Sequence, residues 1–296
     1  MDATEHSDAW GRSSPTLWCV WEDYWIQDGF IDVAVEGDSP GERFLNSQNM
    51  TKDLYFPINR PELPSEFAKI ASGEERDILD FVKTYGLLGY DGVMRTTLRS
   101  DSLVVDMPDT PESLLGKGDP VVWVLAHARN VRLALDLAAR LGDTPHLEVF
   151  LQGLIREGPE GKRIYFEMIR RNDRWPMIGW PISKHSSQDH AYFIIEHILN
   201  WNTSGTVFKV MAAENADGET TLTRYLNPYT LLDVVYLHLA DSIVGGMVRI
   251  CEYCKRPFVP PNRKYKFCPP KKDNDGVSPC MNRAKNARHR QRHKKG

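Results

Sequence analysis

Four cysteines crowd one end of this chain. Cys251, Cys254, Cys268 and Cys280 fall within the last 46 of 296 residues, and Cys19 stands alone far upstream. The pattern is C-x2-C, then 13 residues, a third Cys, 11 residues, and a fourth. A two-residue gap lets both thiolates face one ion from a tight turn, and two more sulfurs supplied from further along complete a tetrahedral shell. Four soft thiolates favour Zn2+, which needs no redox partner. One zinc per chain is the expectation, with an iron-sulfur cluster as the alternative. His289 and His293 also carry ligand spacing on a helix, so either is a possible substitute for Cys280.

Other cysteine chemistry fits less well. The opening segment "MDATEHSDAWGRSSP" is polar and acidic and lacks the basic and apolar regions of a secretion signal. A cytoplasmic, reducing setting is therefore expected, where disulfides are rare. A redox C-x-x-C would open a helix in a βαβ unit. Here "CEYCKRPF" runs into "VPPNRKYKFC", which reads as a turn and a short hairpin. A segment of about fifty residues is too small to build a stable core alone, so metal binding would supply its folding energy. Phe258, Tyr265 and Phe267 are its candidate apolar cluster.

Charge sharpens the question. The chain has a net charge of -3, but residues 249 to 296 carry 15 Lys and Arg against 3 Asp and Glu, a net of +12. The other 248 residues carry 22 basic and 37 acidic side chains, a net of -15. A basic module with an anionic partner, joined to an acidic body, is the reading this split favours. An intramolecular pairing of the two halves is also open.

Ser278 can cap a helix and Pro279 suits its first position, so a helix from about Pro279 to about Lys294 is predicted, with Cys280 in its first turn. Its apolar residues are few (Met281, Ala284 and Ala287), too few for a wide buried face. Metal and phosphate contacts are the expected source of its stability. The nucleic-acid-binding candidates are Arg263, Lys264, Lys266, Asn282, Arg283, Lys285, Arg288, Arg290 and Arg292. Arg and Lys neutralise phosphates; Arg also reads guanine, and Asn adenine, in a major groove that admits a helix.

The segment from "CEYC" through "CMNRAKNARHRQR" resembles the bacterial CGNR-type zinc fingers: C-x2-C, an aromatic-containing hairpin, a third Cys, then a Cys-Gly-Asn-Arg motif and a basic helix. Met281 stands where that motif has Gly, and "PPKKDNDGVSP" lengthens the gap before the fourth Cys. The resemblance implies a DNA-binding finger. The body is similar to the ABATE-type domain that precedes such fingers, through "YGLLG", a helix near Trp123, a hairpin and the long helix "LLDVVYLHLADSI". That family is described as stress-related transcription regulators, so the resemblance implies regulation.

The elements that must position this segment have readable ends. "SGEERDILDFVKTYG" has Ser72 as cap and Glu75 at the capping-box position, and stops at Gly86. "DPVVWVLAHARNVRLALDLAARLG" opens on Asp119-Pro120, with apolar residues at helical spacing and Arg129, Arg132, Asp136 and Arg140 largely off that stripe. Helices are also predicted after Thr144-Pro145, from about Gln188 to Trp201, and from Asn227-Pro228 to about Val244. "LWCVWEDYW", "FIDVAVEG" and "RIYFEMI" read as strands, and "TVFKVMAAENADGETTLTRYL" as a hairpin turning at 215–218.

The fold expected is α+β: a mainly helical body with a few antiparallel strands over 1–246, about 1–14 disordered, then a treble-clef-like zinc finger over 247–296. Gly245-Gly246 marks the join. No stretch of 18 apolar residues suggests a membrane span. His185, Asp189 and His190 are the only acid-base constellation, yet Asp189 and His190 are neighbours that cannot share a helix face. Phosphate-binding glycine loops and H-E-x-x-H are absent. The expectation is a nucleoid-associated, zinc-dependent DNA-binding regulator, not an enzyme. Duplex DNA is its expected partner; a homodimer and a small-molecule effector stay open. An RNA- or ribosome-associated module is the alternative, with Tyr253, Phe258, Tyr265 and Phe267 as stacking candidates. An enzyme with an unrecognised site in the body ranks below it.

Overall fold

A computed structural model describes residues 16–33, 51–55, 57–89, 95–99, 102–106, 118–158, 161–170, 173–182, 186–203, 207–214, 220–228, 230–260, 264–270 and 278–293. The segment 1–14, His185 and the 215–218 turn lie outside them. Helix and strand mix throughout, and every strand pairing among the described residues is antiparallel.

The chain opens with β1 (Thr16–Trp21), β2 (Tyr24–Gln27), β3 (Phe30–Val33) and β4 (Thr51–Tyr55), then α1 (Leu63–Phe67) and α2 (Glu75–Tyr85). Strands β5 (Arg95–Arg99), β6 (Ser102–Asp106) and the two-residue β7 (Asp119–Pro120) lead into α3 (Val121–Ala138) and α4 (Thr144–Gln152). A meander follows: β8 (Ile155–Gly158), β9 (Gly161–Arg170) and β10 (Asp173–Pro181). Helix α5 (Ser187–Thr203), the ribbon β11 (Val207–Glu214) and β12 (Thr220–Asn227), and α6 (Leu231–Val244) complete the body. The sheet orders are β4-β1-β5-β6, β2-β3-β7, β10-β9-β8 and β11-β12.

Helix α3 is the core. Its buried residues, from Trp123 through Leu137, run nearly all round it, the pattern of a helix covered on every side. It packs against α1, α5, α6, β7 and β9. Asp136, expected off the apolar stripe, is buried; it survives there because Arg132 Nε (2.6 Å) and Arg140 (2.7 Å) both donate to its carboxylate. His127 is fully buried and shares a hydrogen bond of 2.9 Å with the Tyr236 hydroxyl. His238 is buried against the Pro57 carbonyl, and desolvation holds its pKa below the usual imidazole value.

Four predicted caps fall on other residues. Ser72 closes a 3-10 turn instead, and α2 starts after Glu74. Asp143, not Thr144, caps α4 by accepting from the His146 N–H. Asn227 ends β12, while Thr230 and Asp233 form a reciprocal capping box on α6. Asp119 is not the cap residue of α3, a place that Pro120 takes. The buried Asp119 carboxylate accepts from the backbone N–H of Leu88 and from that of Gly89 (3.0 Å).

That last contact makes residues 86–89 a junction. Trp18 Nε1 donates to the Leu87 carbonyl at 3.2 Å, and the Leu88 carbonyl accepts from Leu232 N–H at 3.3 Å. One buried tetrapeptide thus joins β1, β7 and α6 through its backbone. An Asp119→Ala variant leaves two buried N–H groups without an acceptor. It should lose about 3 kcal/mol of stability, read as a shift in the urea midpoint at unchanged slope, with Asp119→Asn falling between it and the wild type.

Candidate metal centre

The final segment adds β13 (Arg249–Ile250), β14 (Pro257–Phe258) and α7 (Pro279–His293). The hairpin is not where the sequence suggested. Its two strands flank the C-x-x-C, pairing Arg249 with Phe258 and Ile250 with Pro257, and residues 264–268 form no strand. The C-x-x-C is therefore the hairpin's tip. Cys251 N–H donates to the Arg256 carbonyl (2.9 Å), and Lys255 N–H returns to the Cys251 carbonyl (3.0 Å). Lys255 adopts φ 59, a left-handed conformation that a side chain resists. The tight turn imposes it, because both cysteines must point inward.

The third cysteine is brought in by backbone. Glu252 N–H donates to the Lys266 carbonyl (3.0 Å), which lays 266–268 beside the knuckle. The fourth arrives on a helix. Ser278 caps α7 as its sequence suggested, its hydroxyl accepting from Met281 N–H (3.2 Å), and Cys280 sits in the first turn. A hairpin tip, a returning strand-like segment and a helix N-terminus make a treble-clef-like arrangement.

All four sulfurs lie within 4.8 Å of one another. None is in a disulfide, and Cys254 and Cys268 stand 3.5 Å apart. A tetrahedral ion with sulfur bonds of about 2.3 Å sets its ligands about 3.8 Å apart. The four residues fit such an ion with small shifts. The site can hold a metal ion. Among the described residues no other group of His, Cys, Asp and Glu gathers this way. His289 does not belong to it: nine residues along α7 from Cys280 place it about 13 Å away at 1.5 Å per residue.

Electrostatics agrees with a cation between the sulfurs. Cys251 is fully buried, which pushes its thiol up, but backbone N–H groups of Cys254, Cys268 and Tyr253 outweigh burial and bring it down to about 7. Cys268 is pushed far up, by burial and by its contact with Cys254. Cys280 is pushed up to about 11, by burial and by the sulfurs of Cys254 and Cys251. Without a cation, charge on one sulfur opposes charge on its neighbours.

The finger is also fastened to the body. Val259 N–H donates to the buried Ser65 hydroxyl on α1 at 2.7 Å, across 194 residues of sequence, and Val248 and Val259 join the main core. Nothing in the sequence signals this pair. Phe258 is buried, as expected of the small apolar cluster, while Tyr265 is exposed.

The nucleic-acid candidates divide by place. Asn282, Arg283, Lys285, Arg288 and Arg290 are exposed on α7. Arg292 lies on the same helix, its side chain outside the described set. Lys264 and Lys266 are exposed beside the knuckle, with the Lys266 ammonium 3.3 Å from Glu252. Arg263 lies outside the described residues. Of the acid-base trio, His185 lies outside the described residues. Asp189 is spent at the start of α5, accepting from Ser186 N–H (2.9 Å), and His190 faces the core.

Metal bound to all four sulfurs must displace the protons that Cys268 and Cys280 hold near neutrality. Apparent Zn2+ affinity should therefore rise from pH 7 to 9, with log K climbing by about two or more per pH unit. A competition titration against a chromophoric chelator reads this, and a flat profile would exclude the two cysteines as ligands. No family model matches this chain, and no curated protein or solved structure matches it either, so the centre is described from its own residues.

Proposed function

We propose that this chain is a zinc-dependent DNA-binding protein acting as a transcription regulator, with α7 as the DNA-contacting element. One observation carries the reading. The helix is pinned at its first turn to the four-sulfur cluster, and Arg283, Lys285, Arg288 and Arg290 project from it exposed. These four make no ion pair among the described residues, although the body has an excess of 15 negative charges. That leaves the intramolecular reading without a contact at these positions. Phosphates are the anions that such a surface suits.

Zn2+ is the metal this reading assigns, on the softness of four thiolates. Bound, it would hold Cys251, Cys254, Cys268 and Cys280 and so fix the axis of α7. The chemistry it supplies is structural: closed four-sulfur sites leave no open position for a reactant. The resemblance to CGNR-type fingers and ABATE-type bodies supports regulation, and the acidic body would provide dimerisation, effector sensing or contact with the transcription machinery. Among the described residues no helix is long and apolar enough to cross a membrane.

A second reading has its own observation. Tyr253 and Tyr265 are 40% and 38% exposed on the finger, where aromatic faces can stack on unpaired bases. An RNA-binding module would use them; a duplex-binding helix would not need them.

Cys280→Ser in the full chain should lower the affinity for duplex DNA by at least tenfold, a cost of about 1.4 kcal/mol or more. The far-UV circular dichroism of the body helices should persist. Fluorescence anisotropy with a random-sequence duplex, at fixed salt and with zinc present, measures the first. Unchanged duplex affinity in the variant, or tighter binding of a structured RNA than of duplex by the wild type, would overturn the DNA reading.

A further inference from the structure

The residues of α7 are not equivalent, and their arrangement assigns separate tasks. An α-helix advances about 100° per residue. Cys280, Met281 and Ala284 fall on one side and are half-buried there, toward the cluster and the finger; past the first turn, Ala284 is the half-buried position among 282–290 and the rest are exposed, and Pro279 is half-buried where the helix begins. Asn282, Asn286 and His289 stand at i, i+4 and i+7, a straight stripe on the opposite side, and all three are exposed. The same spacing continues in sequence to His293. Arg283 and Arg290 border this stripe along one flank. Lys285 borders it along the other, with Arg288 further round.

We propose that the stripe of Asn282, Asn286 and His289 is the base-reading face of α7, seated in the major groove of B-form DNA, and that the flanking Arg and Lys grip the phosphates on either side. This inference rests on the DNA-binding reading above and deepens it. Three physical facts favour that occupant. An α-helix about 10–12 Å across matches a major groove about 12 Å wide, so the face opposite the anchor enters first. Asn presents a carboxamide that pairs bidentately with adenine N6 and N7. Fixed cations on both flanks then meet one phosphate strand each, positioning the helix without reading sequence. An exposed carboxamide carries no charge of its own and adds little to non-specific attraction; its value lies in hydrogen-bond geometry. The deep, narrow major groove of A-form RNA does not admit such a face.

The consequence is a separation of specificity from affinity. Zinc-loaded full-length protein would be selected against a pool of random duplex DNA, alongside Asn286→Ala, His289→Ala and the pair Arg283→Gln and Arg290→Gln. Alanine raises helix propensity at an exposed site, so the first two variants keep the helix. The wild type should enrich a motif. Asn286→Ala should erase or change it at one or two adjacent positions, costing about tenfold on the selected site. Its affinity for a non-selected duplex and the salt slope should stay within twofold of wild type. The Arg-to-Gln variants should keep the motif, weaken all duplexes alike, and each flatten the log K against log salt slope by about one.

Failures separate cleanly. If the wild type binds no duplex even at low salt, the DNA-binding reading falls and this inference with it. If the wild type binds duplex but enriches no motif, or if the Asn and His variants keep it, the assignment of the stripe falls while the DNA-binding reading stands. If the Asn and His variants weaken every duplex as the Arg variants do, the division of tasks is wrong.

Discussion

Four thiol sulfurs within 4.8 Å of one another form a constraint that apolar packing cannot explain. The segment that carries them owns little core of its own: Phe258 is buried, and Val259 belongs to the core of the body. A common counter-charge would bring 251–254, 268 and 280 together. Backbone N–H groups stabilise charge on Cys251, while Cys268 and Cys280 are pushed the opposite way. A cation held between the sulfurs would resolve that conflict and, through Cys280, would fix the direction of α7.

The body solves a different problem, that of buried backbone. Residues 87–89 cross the interior outside any strand or helix, after Gly86 N–H closes α2 on the Val82 carbonyl. Trp18, Asp119 and Leu232 supply the missing partners from three elements. The Ser65 hydroxyl does the same for Val259 at the edge of the finger. In both places polar side chains tie segments distant in sequence, because an orphaned N–H in the interior costs as much as a hydrogen bond gains.

Local signals were legible and tertiary ones were not. The cysteine spacing and Ser278 were readable: the four sulfurs gather, and Ser278 caps α7. The predicted helices occur close to the stated ranges, because apolar spacing reports the buried face. Their caps erred where a polar residue had a better partner elsewhere. Asp119 sits before a proline in cap position, yet two N–H groups some thirty residues back claim its carboxylate. Strand β10 went unseen because Pro176 within "DRWPMIGWP" argues against a strand, and a register shift between Trp175 and Ile178 accommodates it. The knuckle hairpin was placed after the C-x-x-C rather than around it, since two-residue strands carry no periodicity to read. The division of α7 into faces was present in the sequence, but only the half-burial of Met281 and Ala284 shows which side is the inside.

The join between body and finger has a mechanical meaning. Helix α6 ends in a paired closure, Gly246 N–H to Ile243 carbonyl and Met247 N–H to Ser242 carbonyl, with Gly246 at φ 61. A Cβ at Gly245 would come within 2.9 Å of the Asp241 carbonyl, so both glycines are dictated by this turn. Two residues later the chain is already in the core through Val248, and Val259 is bolted to α1. The connection is a bracket and not a swivel. With Cys280 held in the four-sulfur cluster, a pull or twist on α7 would be passed through the knuckle to α1 by way of Val259 and Ser65.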